Sequence, residues 1–215
     1  MSEAGSFNFN AFINESKETL VNPKGYFSTM KTSGGMAEPI IKALIYGVVA
    51  GIIIFLWGVI GLGGAAGVLG AGIGVMSLFW TVIAAVIGVF IGAIVILVVS
   101  SICKGNTDFE ACLRVAASIM VVMPISALLG FTTGINSVFG AIVALGVNLF
   151  VLYLLYYGLT EALKANPGTA RIIMYVLVAI MVIIMIAGLG ATRRMNKYMN
   201  DYSKDDLKEM MKDQE

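Results

Sequence analysis

The sequence predicts an all-α, polytopic membrane protein: a bundle of five transmembrane helices preceded by a short amphipathic N-terminal interfacial helix. Three observations carry this. Hydrophobic residues make up 59% of the chain and charged residues 13%, against about 45–50% and 25% in soluble domains. Charges leave three long gaps, with 61 uncharged residues between Lys42 and Lys104, 46 between Arg114 and Glu161, and 21 between Arg171 and Arg193. At about 20 residues per span, these gaps hold two, two and one helices. The runs are also continuous, whereas a membrane barrel alternates polarity over strands of about ten residues.

The elements follow in order. Residues 1–39 form a polar, interfacial segment. Within it, FNFNAFINESKETL sets Phe9, Phe12, Ile13, Ser16 and Leu20 along one side of a helix able to lie on a membrane. No short apolar core with a small-residue cleavage site occurs there, so the first apolar segment is expected to stay in the mature protein. Spans are expected near 40–61, 77–102, 112–133, 137–160 and 170–192, with Pro39 suited to the first turn of the first. Glycine-rich GLGGAAGVLGAGIG, Gly61 to Gly74, is read as a connector, with a re-entrant hairpin or part of a sixth span as the alternatives. Residues 193–215 form a charged tail, in which Ser203 and Asp206 have capping-box spacing ahead of Leu207, Met210 and Met211.

Aromatic and basic residues bear on orientation. With five spans, Tyr26, Tyr46, Tyr153, Tyr156, Tyr157 and Tyr175 fall toward the amino-terminal face, and Trp57 and Trp80 toward the other. The first face carries Lys24, Lys31, Lys42, Lys104, Arg114, Lys164 and Arg171. The second carries Arg193, Arg194, Lys197, Lys204 and Lys208. The positive-inside rule thus favours a cytoplasmic amino terminus by seven to five, although Arg193 and Arg194 argue the other way.

Several chemistries are disfavoured. A net charge of +1, with no long basic block, gives no reason to expect nucleic acid. There is no histidine, and Cys103 and Cys112 alone cannot complete a structural zinc site. They read as helix-end thiols that pair only on an oxidising face. The glycine run lacks the Gly-Lys-Ser/Thr ending of a phosphate loop. No nucleophile stands beside a base, so no catalytic residue, cofactor or metal is expected, and the protein is read as non-enzymatic.

What remains is helix association. Gly47 with Gly51, Gly88 with Gly92, and Gly130 with Gly134 recur at four-residue spacing, which lets helices approach closely in lipid. Their contacts lie either within this chain or in a homo- or hetero-oligomer. Pro124 and Asn148 fall near mid-span. They mark either a kink and a satisfied amide or a polar path for a small solute or ion. Glu110 and Arg114 have the spacing of an interfacial i,i+4 ion pair.

Three stretches carry a family resemblance: NPKGYFSTMKTSGG before the first span, FEACLRVAASIMVVMPISALLG in the third and LFVLYLLYYGLTEAL ending the fourth. Over roughly residues 20–192 the chain resembles the Yip (Ypt-interacting protein) domain family, with Asn22, Pro23, Phe27, Pro124, Tyr153 and Leu159 as the first positions to align. The resemblance implies five spans, a cytosolic amino terminus and a role among proteins that associate through their membrane segments. Eukaryotic members act in vesicle trafficking and engage small lipidated GTPases. The Asp-Leu-Tyr-Gly type motif of those members is missing here, so GTPase binding is not carried over. The compact chain is more similar to bacterial or archaeal relatives, which implies the cytoplasmic membrane. The expected function is a scaffold or adaptor in the lipid bilayer, with a small-solute or ion transporter as the alternative. Asn22, Pro23, Tyr26, Phe27 and Lys31 are expected to form an interfacial collar.

Overall fold

The computed structural model of the protein describes residues 8–62 and 71–188. Asparagine and aspartate side chains start most of the helices, as their short acceptors allow. Asn8 Oδ1 accepts from Ala11 N at 3.1 Å and opens α1, Phe9–Val21. Asn22 then serves both neighbours. Its N–H donates to Glu18 O at 2.8 Å to close α1, and its side chain accepts from Gly25 N at 3.1 Å to open α2, Pro23–Thr29. Pro23 sits at the first helical position, where a missing N–H costs nothing.

The spans come next. The first is α3, Ala37–Ile60, with Pro39 in its first turn; it ends at Gly61, whose φ of +81° lies in the left-handed region that glycine adopts freely. The second is α4, Ala71–Ile102. The third, Phe109–Ile135, is broken into α5, Phe109–Ile119, α6, Val122–Leu129, and α7, Phe131–Ile135. Pro124 accounts for the first break: it has no N–H to give Met120 O, which instead accepts from Met123 N at 2.9 Å. The fourth is α8, Ser137–Tyr157, capped by Asn136 and continued by a π-helical turn, Gly158–Ala162. The fifth is α9, Pro167–Gly188. Residues up to Leu177 make one compact unit; those from Val178 belong to a second, helical where described.

Five helices among the described residues are therefore long and apolar enough to cross a membrane. Helix α3 runs to Ile60 and α4 begins at Ala71; the remainder of the glycine-rich stretch, residues 63–70, on which the sixth-span alternative falls, lies outside the described residues. The expected tail helix at Ser203 to Met211, like Arg193 and Arg194, lies outside the described residues.

Helix α5 is the centre of the packing. Every residue from Ala111 to Ser118 is buried, and α3, α4 and α8 all touch α5. The most enclosed side chains, Phe27, Leu113, Leu154, Leu159 and Leu163, gather at the end of the bundle where the loops 103–108 and 163–166 lie. Gly158 makes this possible: a Cβ there would stand 2.6 Å from Val115 Cγ1 and 3.6 Å from the Phe27 ring.

Those two loops clasp each other. Asn106 N donates to Leu163 O at 2.7 Å, and Asn166 N donates to Cys103 O at 2.9 Å, so each loop gives one bond and receives one. Each contains a lysine in the left-handed region, Lys104 at φ 56° and Lys164 at φ 54°. Each is followed by an asparagine whose side chain accepts from the N–H two residues on, Asn106 from Asp108 N and Asn166 from Gly168 N, both at 2.9 Å, and Asp108 in turn caps α5 by accepting from Ala111 N.

Candidate functional site

The charged residues that border the spans converge below this clasp. Glu38 and Lys42 lie in the opening turns of α3, Glu110 and Arg114 in those of α5, and Glu15 on α1. The Glu38 carboxylate bridges two cations, with Oε1 3.0 Å from Lys42 Nζ and Oε2 2.9 Å from Arg114 Nη1. Lys42 Nζ also reaches Glu15 Oε2 at 2.5 Å, and Arg114 Nε reaches Glu110 Oε1 at 3.0 Å. Five charges thus form one chain across three helices. Lys42 and Arg114 are buried, their side chains only 10% and 6% exposed, while Glu38 retains 42%.

Backbone from the preceding stretch completes the shell. Arg114 Nη2 donates to Gly35 O at 2.9 Å, and Gly35 N donates to Glu110 Oε1 at 2.7 Å. Gly34 and Gly35 hold φ of +134° and +98°, and a Cβ on Gly34 would come within 3.1 Å of Arg114 Nη2. Glycine is needed here for backbone shape and for close approach to the guanidinium.

Two hydroxyl pairs lock the amino-terminal helices to this floor. Tyr26 OH and Ser118 Oγ are 2.8 Å apart, and Ser16 Oγ and Tyr46 OH 2.7 Å apart. The Phe12 ring lies 5.1 Å from that of Tyr46. Burial pushes the Tyr26 phenol above its usual range, so it stays neutral. Around these groups lies a cavity of about 270 Å³, with Tyr26, Ser118, Lys42 and Arg114 inside it and Glu18, Thr29 and Lys31 on exposed positions of its wall.

Some expected residues sit elsewhere. Tyr26 and Phe27 point into the bundle, 6% and 0% exposed. Asn22 and Pro23 shape the α1–α2 corner, and Lys31 is exposed. On α1, Phe12 packs inward while Phe9 and Ile13 remain exposed, so the apolar side is divided between bundle and surroundings. Tyr46 is likewise inward, whereas Tyr153 and Tyr175 are exposed. Asn148 is exposed on α8, and its amide nitrogen donates to Ala144 O, one turn back, at 2.8 Å. The Glu110–Arg114 pair is present; the bond from Glu38 to Arg114, 76 residues apart, has no signature in local spacing.

The glycines divide too. A Cβ on Gly47 would meet Ala85 Cβ at 2.6 Å, one on Gly51 would touch Leu78 at 3.4 Å, and one on Gly92 would touch Ala116 at 3.6 Å. One on Gly134 would strike Leu62 O at 2.5 Å, and one on Gly130 would crowd Ala127 O at 3.0 Å, whereas Gly88 has open space. Gly47→Ala is therefore expected to cost about 1–3 kcal/mol by forcing α3 and α4 apart, and Gly88→Ala to stay within about 0.5 kcal/mol. Reversible unfolding in mixed micelles measures both.

Cys103 and Cys112 are free and fully buried. Burial pushes the Cys103 thiol up, which lowers its thiolate fraction at neutral pH. The folded protein is expected to resist an impermeant maleimide at pH 7 from either side of the membrane and to label only once unfolded. Rapid labelling of Cys103 in intact vesicles would show that this end of the bundle opens.

Five apolar spans, with the ionic residues among the described ones gathered at one end, define a polytopic helical membrane protein. Among the described residues no group of three or more metal-binding side chains comes together. The family model for the Yip1 domain matches residues 17–189, and the chain belongs to that family. Comparison with characterised proteins and with solved structures returns no significant match.

Proposed function

We propose that the protein is a non-enzymatic scaffold or adaptor that works by lateral association of its membrane helices. The observation that carries this reading is Asn148. It lies twelve positions into the 21-residue α8, faces outward, and uses one N–H on its own helix. Among the described residues its carbonyl oxygen accepts no hydrogen bond. An amide facing hydrocarbon gains from a neighbouring helix, by roughly 0.6 to 2 kcal/mol. The outward position weighs toward association and away from a solute path shared with Pro124. The partner is either a second copy or another membrane protein. The seven-to-five basic bias supports a cytoplasmic amino terminus.

Energy transfer between labelled copies, measured in liposomes while the protein is diluted in lipid, tests the reading. Asn148→Val is expected to weaken association about 3- to 30-fold. If labelled copies stay apart at every dilution and capture from native membranes brings down no membrane partner, the scaffold reading fails.

A further inference from the structure

The cavity beside the ionic chain offers a second, independent inference. Its wall carries three cations, Lys31, Lys42 and Arg114, and three anions, Glu15, Glu18 and Glu38. A lone anion would meet three carboxylates there, and a lone cation three basic groups, so the lining selects against either. A group that carries both charges and no net charge suits it. Lys42, Arg114 and Glu38 are already engaged with one another, but Glu18 and Lys31 form no ion pair among the described residues. Opposite charges thus face one cavity without neutralising each other. Tyr26 and Ser118 add hydroxyls at its inner wall.

Depth narrows the ligand further. Lys42 lies five residues past the start of α3, about 8 Å along the helix axis. Arg114 lies five residues past the start of α5. The cavity therefore sits at the polar boundary of the bilayer, where headgroups are the most abundant solute. Its 270 Å³ equals about nine waters' share of liquid volume, enough for a headgroup and too small for a drug-sized molecule.

We infer that this cavity binds a phosphoester bearing a primary ammonium, the chemistry of a phosphatidylethanolamine headgroup, with Lys31 facing the phosphate and Glu18 the ammonium. Soluble glycerophosphoethanolamine, a diester with the same single negative charge, shares that chemistry and is the other source. The inference does not rest on helix association, and a strictly solitary chain would bind the headgroup equally well.

Native mass spectrometry of the full chain, released from detergent with matched acyl-chain phosphatidylethanolamine, phosphatidylcholine or phosphatidylglycerol, tests it. Phosphatidylethanolamine is expected to be retained at about two- to fivefold lower concentration than the other two, the size expected of a charge contact at an exposed rim. Glu18→Gln should abolish the preference over phosphatidylglycerol, and Lys31→Gln should weaken both phospholipids. Both positions are exposed, so unchanged thermal unfolding of the E18Q/K31Q protein confirms that folding is intact. Displacement of the lipid by soluble glycerophosphoethanolamine supports the site with a free phosphoester as a competent source; failure to displace a retained lipid supports it with the lipid alone. Equal retention of all three lipids, or a preference that survives E18Q/K31Q, overturns the inference.

Discussion

Arg114→Gln is expected to cost about 3–5 kcal/mol of stability, the range for removing one partner of a buried ion pair. The guanidinium is 6% exposed and joins Glu38, Glu110 and Gly35 O, so its loss leaves two carboxylates without their cation and one carbonyl without its donor. Lys42 still neutralises part of the Glu38 charge, which places the cost short of a complete failure to fold. Arg114→Lys separates charge from shape. An ammonium keeps the charge, but it cannot span Glu38, Glu110 and Gly35 O as a planar fork does. Its expected cost is about 1–2 kcal/mol, one or two net hydrogen bonds. Denaturant titration in mixed micelles, followed by circular dichroism, measures both variants. Equal stability of wild type and Arg114→Gln would show that the ionic chain carries no structural weight.

Phe27→Ala is expected to cost about 3–5 kcal/mol through lost burial and the cavity left behind. The ring is fully buried, stands edge-on to Tyr26 with centroids 5.2 Å apart, and lies close to Gly158 in the π-helical turn. No neighbour collapses easily into its place, since Leu113, Leu159 and Leu163 are themselves fully enclosed. Phe9→Ala in the same assay is the control. Phe9 is 58% exposed, and its removal should stay near 0.5 kcal/mol. The contrast tests whether α2 is an integral wall of the bundle or a segment resting on it.

The sequence exposed the spans better than their faces. Charge-free runs and chain length alone locate five membrane helices, and the boundaries near Ile60, Ile102 and Ser137 follow from Gly61, the Lys104 loop and Asn136. Helices that are apolar on every side carry little record of which side meets protein, so Asn148 is legible as a mid-span amide but its outward face is not. The ionic chain was half legible. Glu110 with Arg114 is visible as an i,i+4 pair, and Glu38 with Lys42 has the same spacing. The bond from Glu38 to Arg114 spans 76 residues and depends on how α3 meets α5, which local periodicity does not encode. Gly34 and Gly35 were readable as breakers, but not as the backbone that holds a guanidinium.

The clasp between the two loops also sets a timetable for biogenesis. Neither of its amide bonds exists until Leu163 has been made, 57 residues after Asn106, and the second needs Asn166 as well. At about 5–20 residues per second, that gap lasts roughly 3–12 s. During it, α4 and α5 sit in the bilayer joined by a loop whose Lys104 has nothing opposite to hold its unfavourable turn, and Gly105 faces no Ala165. The first hairpin therefore waits for the second, and a nascent chain stopped short of Leu163 would carry that end of the bundle unlatched.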